Sequence, residues 1–507
     1  MFQFFALLLS SAPAAATAIT FVGSATAIPS PAQLRWQAFE VGSMITFNLQ
    51  TACVPCGHAN ASAQRCQAFG CLPAWPLVRS WAMESLNVSA WLAASASFGA
   101  KYSVLVADHM AGFTLWPTRV HNVSIAATAY RGGEGDVVAE FRAAAAAAGI
   151  AAGFFYSTHF NWALGVDEFR AGAVPRTYGG PPLNQTMYED AVLAQLAELK
   201  AYEADGHPPW AELWFDGGVD TALTPRVGPL VRATFPAALC HSCLNFTQGA
   251  DGGVGIRWMG NEEGAMPLPS WAASAPVNTG NGDPTQPLFL PPSCDTVLEE
   301  HYWFWQAHDT AKLRSTCALV NAYLTSVGRA ANLILNLAPA PSGALQPEEV
   351  AAYRAMGEGV ACLWRRPLAA WAAVRVDLGS GVAALPLPAP PLPCAAASGG
   401  CVLTLVLQED LAATGQRVGA WAVEARVGGA WVPALAPANP NATVGVGHKR
   451  IVALRVAAAF DALRVVVATA FTAAGDASAP ITLSAVALFD RAAAAACLPA
   501  GCALVDY

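Results

Sequence analysis

The sequence predicts an α/β protein: a (β/α)8-like barrel followed by a C-terminal β-sandwich. Three observations carry that expectation. From Ile28 to Arg366 strand-like apolar runs alternate with helix-like stretches, the pattern of parallel βα units. Those runs end in polar residues or glycine, which is where a barrel builds its active site. After Pro367 helical periodicity disappears and short β-branched runs take over. At 507 residues the chain is also too long for one ordinary core. The expected division is residues 1–27 as a secretory signal, 28–366 as the catalytic barrel and 367–507 as the sandwich.

The opening segment is apolar from Phe4 to Leu9 and then runs through small residues to Ala-Thr-Ala patterns at Ala16–Ala18 and Ala25–Ala27, as a cleavable leader does. It lacks the usual positive start, so an uncleaved membrane anchor is the alternative. The strand candidates of the barrel are Ser43–Leu49, Tyr102–Asp108, Ala151–Ser157, Glu212–Gly217, Arg257–Glu262, Tyr302–Gln306 and Asn332–Leu337. Two helices are well marked. Asp136 caps one that Gly149 ends, and Thr186 with Glu189 spells a capping box for another, with Val192, Leu196 and Leu199 on one face. The uncharged run Ala143–Val166 has the length of a membrane span, but its glycines and polar residues read better as a helix followed by a buried strand. In the second domain the strand runs are Val402–Leu407, Val418–Val427, Ile451–Val456, Leu463–Val467 and Ile481–Phe489, beside a loop rich in Pro and Ala at Leu385–Gly400.

Net charge is −8 and no Lys/Arg cluster is interleaved with aromatics, which argues against a nucleic-acid partner. Six Asn-X-Ser/Thr sequons, at Asn60, Asn87, Asn122, Asn184, Asn245 and Asn441, and thirteen cysteines fit a secreted, lysosomal or vacuolar glycoprotein. The cysteine spacings suggest local pairs, Cys53/Cys56, Cys66/Cys71, Cys240/Cys243, Cys394/Cys401 and Cys497/Cys502, and the odd count leaves at least one thiol unpaired. No metal site and no cofactor are expected, because the two C-x-x-C pairs have no matching His-x-x-x-His.

Two carboxyl groups about 5–5.5 Å apart hydrolyse a glycoside with retention, one attacking the anomeric carbon and one protonating the leaving oxygen. Asp216 ends an apolar run and precedes Gly217 and Gly218, so its side chain is placed at the barrel mouth; capping the next helix is its plainer role. Glu262 or Glu263, in a loop framed by Gly260 and Gly264 after Trp258, supplies the second carboxyl. Trp116, Tyr156, Trp162, Trp214, Trp303 and Trp305 are candidates to stack on a sugar, or are simply core. His109 and His159 follow strand ends and can donate to hydroxyl groups, or serve structure.

In Leu34–Glu40, Gly112–Pro117, Gly135–Val138, Glu212–Gly217, Arg257–Glu262, Val327–Arg329 and Asn332–Asn336 the chain resembles glycoside hydrolase family 29, the α-L-fucosidases, and in particular its branch of plant enzymes. Leu405–Asp410, Gly415–Arg417 and Gly447–Ile451 resemble the C-terminal β-sandwich of that branch. The resemblance implies Asp216 as nucleophile, Glu262 as acid/base and a fucosylated oligosaccharide or glycoprotein glycan as substrate. The family's His-Phe-Gly reads Thr46-Phe-Asn48 here, its Lys-His-His-Asp-Gly-Phe reads Asp108 to Phe113 with Met110 and Ala111 replacing donors, and its Pro-x-Glu-Cys-Asp reads Pro291 to Asp295 with Ser293 at the glutamate. A site loses discrimination when hydroxyl-binding donors vanish. A retaining glycosidase of altered sugar specificity and a catalytically silent glycan-binding protein are therefore the alternative readings.

Overall fold

A computed structural model describes residues 18–53, 74–219, 224–242, 255–275, 280–300, 302–306, 310–388, 391–392, 400–435 and 439–505. The strands are β1 (Thr20–Ala25), β2 (Val41–Ile45), β3 (Tyr102–Asp108), β4 (Ala151–Ser157), β5 (Glu212–Asp216), β6 (Leu239–His241), β7 (Gly255–Trp258), β8 (Pro292–Thr296) and β9 (Asn332–Leu337). Strands β2 to β9 close a barrel in which the neighbours β8-β9-β2-β3-β4-β5-β6-β7 pair in parallel and β7 returns to β8.

The barrel follows from period-two sorting of large apolar side chains. Met44, Val104, Val106, Phe155, Trp214, Leu239, Ile256 and Ile334 fill the lumen, while Ile45, Leu105, Phe154, Tyr156, Leu213 and Phe215 pack outward against the surrounding helices. Those helices include α1 (Pro31–Phe39), α2 (Val88–Ser97), α3 (Val137–Ala148), α4 (Gln185–Ala201), α5 (Thr224–Thr234), α6 (Thr316–Ser326) and α7 (Pro347–Leu363). Asp136 caps α3 through the amide of Ala139, and Gly149 ends it at φ 66°.

Three expectations need correction. Tyr302–Gln306 is not a strand but a series of bends. The missing barrel strands are instead β6, three residues long, and β8, which starts on a proline; neither has the length or the alternation that marks a strand. Helix α4 is capped by Asn184, which accepts from the amide of Met187, and not by a box at Thr186; Glu189 instead pairs with Arg226 at 3.0 Å. The cysteines Cys497 and Cys502 do not pair with each other: Cys502 bonds Cys317 on α6 and Cys497 bonds Cys362 on α7. Folding carries the chain end back onto the barrel, which sequence spacing cannot show. Cys240 and Cys401 are also disulfide-bonded, and buried Cys294 is a free thiol. Cys56, Cys66, Cys71, Cys243 and Cys394, and the sequons at Asn60 and Asn245, lie outside the described residues.

The C-terminal strands are β10 (Pro367–Arg375), β11 (Val382–Pro386), β12 (Cys401–Glu409), β13 (Trp421–Val427), β14 (Ala430–Pro433), β15 (Arg450–Val456), β16 (Ala462–Val467), β17 (Thr469–Ala473) and β18 (Thr482–Asp490). They form two four-stranded antiparallel sheets, β10-β18-β12-β15 and β11-β16-β13-β14. The first 17 residues lie outside the described residues, but β1 falls within the segment expected as leader and pairs in parallel with β17. Cleavage at Ala25–Ala27 would remove this strand, whereas cleavage at Ala16–Ala18 would keep it. Among the described residues no helix is long and apolar enough to cross a membrane.

Candidate active site

At the C-terminal mouth of the barrel lies a cavity of about 180 Å³ lined by Met44, Thr46, Val106, His109, Met110, Phe155, Trp214, Asp216, Trp258, Glu262, Asp295, Trp303 and Phe304. Its floor comes from inward positions of adjacent strands. Trp214 on β5 lies face to face with His241 on β6, 4.0 Å between ring centres and 14° between planes. His241 Nε2 is 3.1 Å from Glu212, whose other oxygen accepts from the Trp36 indole at 2.7 Å. Polar groups buried in the lumen thus hold one another, and Trp214 is fixed from below.

Asp216 is the last residue of β5 and shares the inward parity of Trp214. Gly217 follows at φ 69°, where a Cβ would come within 2.5 Å of the His159 ring, so the chain turns away from Asp216 in a space that admits only glycine. Burial and, to a lesser degree, the charge of Glu262 push the Asp216 carboxyl up to about 6, while the amide of Gly217 opposes the rise.

Glu262 stands on the β7–β8 side of the cavity in a loop that turns through left-handed φ at Gly260, Glu262 and Gly264. A glutamate rarely adopts φ 54°, and neighbouring contacts over-determine it here. Asn261 bonds Ala265 and Glu263 within the loop, and the amide of Gly264 donates to the carbonyl of Asp295 on β8 at 2.9 Å. The Glu262 side chain accepts from the Trp303 indole at 3.2 Å. Trp303 is itself held: Asn336 at the end of β9 donates to its carbonyl at 2.6 Å, and the Thr46 hydroxyl beyond β2 donates to Asn336 at 2.5 Å. A relay from two strand ends therefore aims Glu262.

His109 packs against Phe155 and Phe304, and its Nδ1 is 2.9 Å from the Gln50 amide nitrogen, which makes Nδ1 the acceptor. Burial depresses its pKa to about 4, so the ring is neutral and presents Nε2–H as a donor.

Of the expected site residues, Asp216, Glu262, His109, Trp214 and Trp303 thus come together around one cavity. Trp116, Tyr156 and His159 do not line it. Trp116 donates to Glu198 at 2.9 Å and Tyr156 to Gln195 at 2.6 Å, both on α4 outside the barrel. His159 lies against Phe160 and Phe169 behind Gly217. Parity could have separated Tyr156 from its neighbour Phe155, which faces the cavity. Sequence reasoning also missed Asp295, fully buried on β8, whose Oδ1 accepts from the Trp258 indole at 2.8 Å. Glu263 is exposed and does not line the cavity.

Comparison with known proteins places the chain in a family. A family model described as alpha-L-fucosidase matches residues 75–361. The chain is 30% identical over 335 residues to a candidate alpha-L-fucosidase 1 of Oryza sativa subsp. japonica, covering 64% of this chain and 57% of that protein. It is 27% identical over 345 residues to alpha-L-fucosidase 1 of Arabidopsis thaliana, covering 64% and 58%. The match therefore spans less than two thirds of the length of these curated relatives. The structure of a candidate alpha-L-fucosidase from Bacteroides thetaiotaomicron superposes with a TM-score of 0.73 at 24% identity, covering 91% of this chain and 99% of that one. A Ruminococcus gnavus family 29 fucosidase in complex with fucose superposes at 0.64 and 18% identity, covering 94% and 97%. At these identities the structural matches speak to the fold.

Proposed function

The chain belongs to the alpha-L-fucosidase family, and on that premise we propose that it is an exo-acting, retaining glycosidase that releases terminal α-L-fucose from oligosaccharides or glycoprotein glycans. The observation that carries this reading is the convergence of Asp216 and Glu262 on one cavity with Trp214 and Trp303. At about 180 Å³ the cavity is smaller than the roughly 300–1,000 Å³ of sites for drug-sized ligands, which suits a single terminal ring.

In the proposed double displacement, Asp216 attacks the anomeric carbon as the glycosidic bond breaks, and Glu262 gives its proton to the departing oxygen. The fucosyl ester on Asp216 is then attacked by water, whose proton passes to Glu262. Fucose leaves with its configuration retained and both carboxyl groups return to their starting states. With Asp216 raised to about 6, the nucleophile is mostly ionised at neutral pH and progressively lost below that value.

Hydrolysis of 4-nitrophenyl α-L-fucoside tests the reading. Asp216→Asn is expected to reduce kcat by at least about 10³-fold while leaving the fold intact by circular dichroism. Turnover that survives the substitution defeats the assignment. A second reading, altered sugar specificity, is favoured by two specific features: the Thr46 hydroxyl is committed to Asn336, and Met110 lines the cavity. A panel of aryl glycosides distinguishes the two, and efficient cleavage of fucosides alone excludes the second.

We propose a secretory-pathway location for the protein. Disulfides suit that environment, and Asn87, Asn122, Asn184 and Asn441 are exposed. Asn184 caps α4 through its oxygen, leaving Nδ2, the atom that carries a glycan, outside that bond.

A further inference from the structure

The proposed mechanism uses two carboxyl groups, but the cavity contains three. Asp295 ends no loop and caps no helix; it is the fourth residue of β8, only 2% exposed, and lines the cavity with Asp216 and Glu262. Two contacts fix it. Its Oδ1 accepts from the Trp258 indole at the end of β7, and its carbonyl receives the amide of Gly264, which closes the loop that carries Glu262. One carboxyl oxygen is committed to Trp258, and a carboxyl has two.

The rest of the lining is poor in polar groups for a sugar. Met44, Val106, Met110, Phe155 and Phe304 are apolar, the Thr46 hydroxyl donates to Asn336, and the indole N–H groups of Trp258 and Trp303 donate to Asp295 and Glu262. Resting on the glycosidase reading above, we propose that Asp295 is a substrate-binding residue of this cavity, giving one carboxyl oxygen to Trp258 and offering the other as an O–H donor to a sugar hydroxyl.

The electrostatics agree. Burial foremost, then the charges of Glu262 and Asp216, push Asp295 up to about 7, against the pull of the Trp258 N–H and its own backbone amide. The other ionisable groups around it are Cys294 beside it on β8 and Tyr102 on β3, both held neutral by burial, with the charges of Arg257 and Arg329 acting on Cys294; neutral His109 lines the same cavity. Asp295 is raised further than Asp216, so between about pH 6 and about pH 7 an ionised nucleophile coexists with a neutral donor. Such a division of protonation between neighbouring acids is how one site serves two roles.

Titration of the protein with L-fucose at about pH 5.5 and about pH 8.5, on either side of the group, tests this. Wild type is expected to weaken more between the two than Asp295→Asn, whose amide accepts from Trp258 and donates at both. Asp295→Leu, which can do neither, is expected to bind about tenfold more weakly or worse at the lower pH. An Asn variant with the wild-type pH dependence, or a Leu variant with wild-type affinity, overturns the proposal.

Infrared difference spectra of wild type against Asp295→Asn supply a readout that needs no sugar. A protonated carboxylic C=O band that disappears as pH rises through about 7 is expected; its absence at pH 5.5 also overturns the proposal. If the band is present while wild type neither binds L-fucose nor cleaves fucosides, the fucosidase reading fails separately from the assignment of a protonated donor.

Discussion

Glu262 is held at φ 54° by its loop and at its carboxyl by Trp303, which in turn hangs from Asn336 and Thr46. Removing the Thr46 hydroxyl leaves the buried Asn336 oxygen without that donor and loosens the support of Trp303, without touching either reacting carboxyl. A positioned acid contributes about 10²–10⁴-fold to rate, so partial loss of its aim in Thr46→Val is expected to lower kcat about tenfold with KM little changed. Thr46→Ser should restore most of the rate; a Val variant with wild-type kcat, or one that changes KM alone, would show that Thr46 acts on binding instead. The residues differ in how legible they were. Asp216 could be read from the chain because an apolar run gives way to two glycines directly after it. Glu262 could be told from Glu263 only through the family resemblance, since the left-handed turn that aims one inward and the other outward has no local signature beyond its glycines. Asp295 was invisible as a site residue because β8, Pro292–Thr296, contains a proline and polar residues where a strand pattern should be.

Among elements, long alternating strands were legible and short ones were not: β3, β4 and β9 have the expected bounds, while the three residues of β6 fall below any periodic signal. Closure of the barrel, by contrast, needs every strand, so tertiary pairing supplies what local pattern cannot. The start of α4 shows the same limit at a helix end. Asn184 and Thr186 are both plausible caps, two residues apart, and the structure uses the first because its side chain reaches the amide of Met187 at 2.9 Å. Replacing Asn184 by Ala is expected to cost about 1 kcal/mol of stability, and Thr186→Ala less than about 0.5 kcal/mol. Both changes abolish the same sequon, so deglycosylated proteins are compared by chemical denaturation. Equal losses would mean that Thr186 shares the cap.

At the scale of the molecule, the first described strand and the last cysteines are tied to distant parts of the fold. Strand β1 pairs with β17, and the disulfides Cys317–Cys502 and Cys362–Cys497 hold the chain end on barrel helices across separations of 185 and 135 residues. Unfolding exposes the buried ionisable groups, which makes stability depend on pH in a definite sense. Asp295 and Glu409 are raised to about 7 and Glu349 to about 8, each chiefly by burial. Their protons are held by the folded protein but released by the unfolded chain above its usual carboxyl pKa of about 4, so the stability they contribute is lost as pH rises from about 4 through the folded values and is gone above about 8. In the acid direction His109, His121 and His448 are depressed to about 4 by burial; the unfolded chain takes up protons there first, and stability falls as pH drops below about 6.5. Between about 4.5 and 6.5 the folded-state protons on the carboxyls, including Asp216 at about 6, offset those on the unfolded-state histidines. Maximal stability is thus expected at mildly acidic pH, with a thermal midpoint that declines by a few degrees toward pH 8.5. Glu349 has the highest value and is the best probe: it accepts from the amide of Gln346 at the start of α7, a bond that Glu349→Gln can keep while removing the titration. Calorimetry of that variant should show a shallower alkaline decline than wild type. An unchanged decline would mean that Glu349 takes up its charge without cost in the folded protein, and that the alkaline limb belongs to other groups.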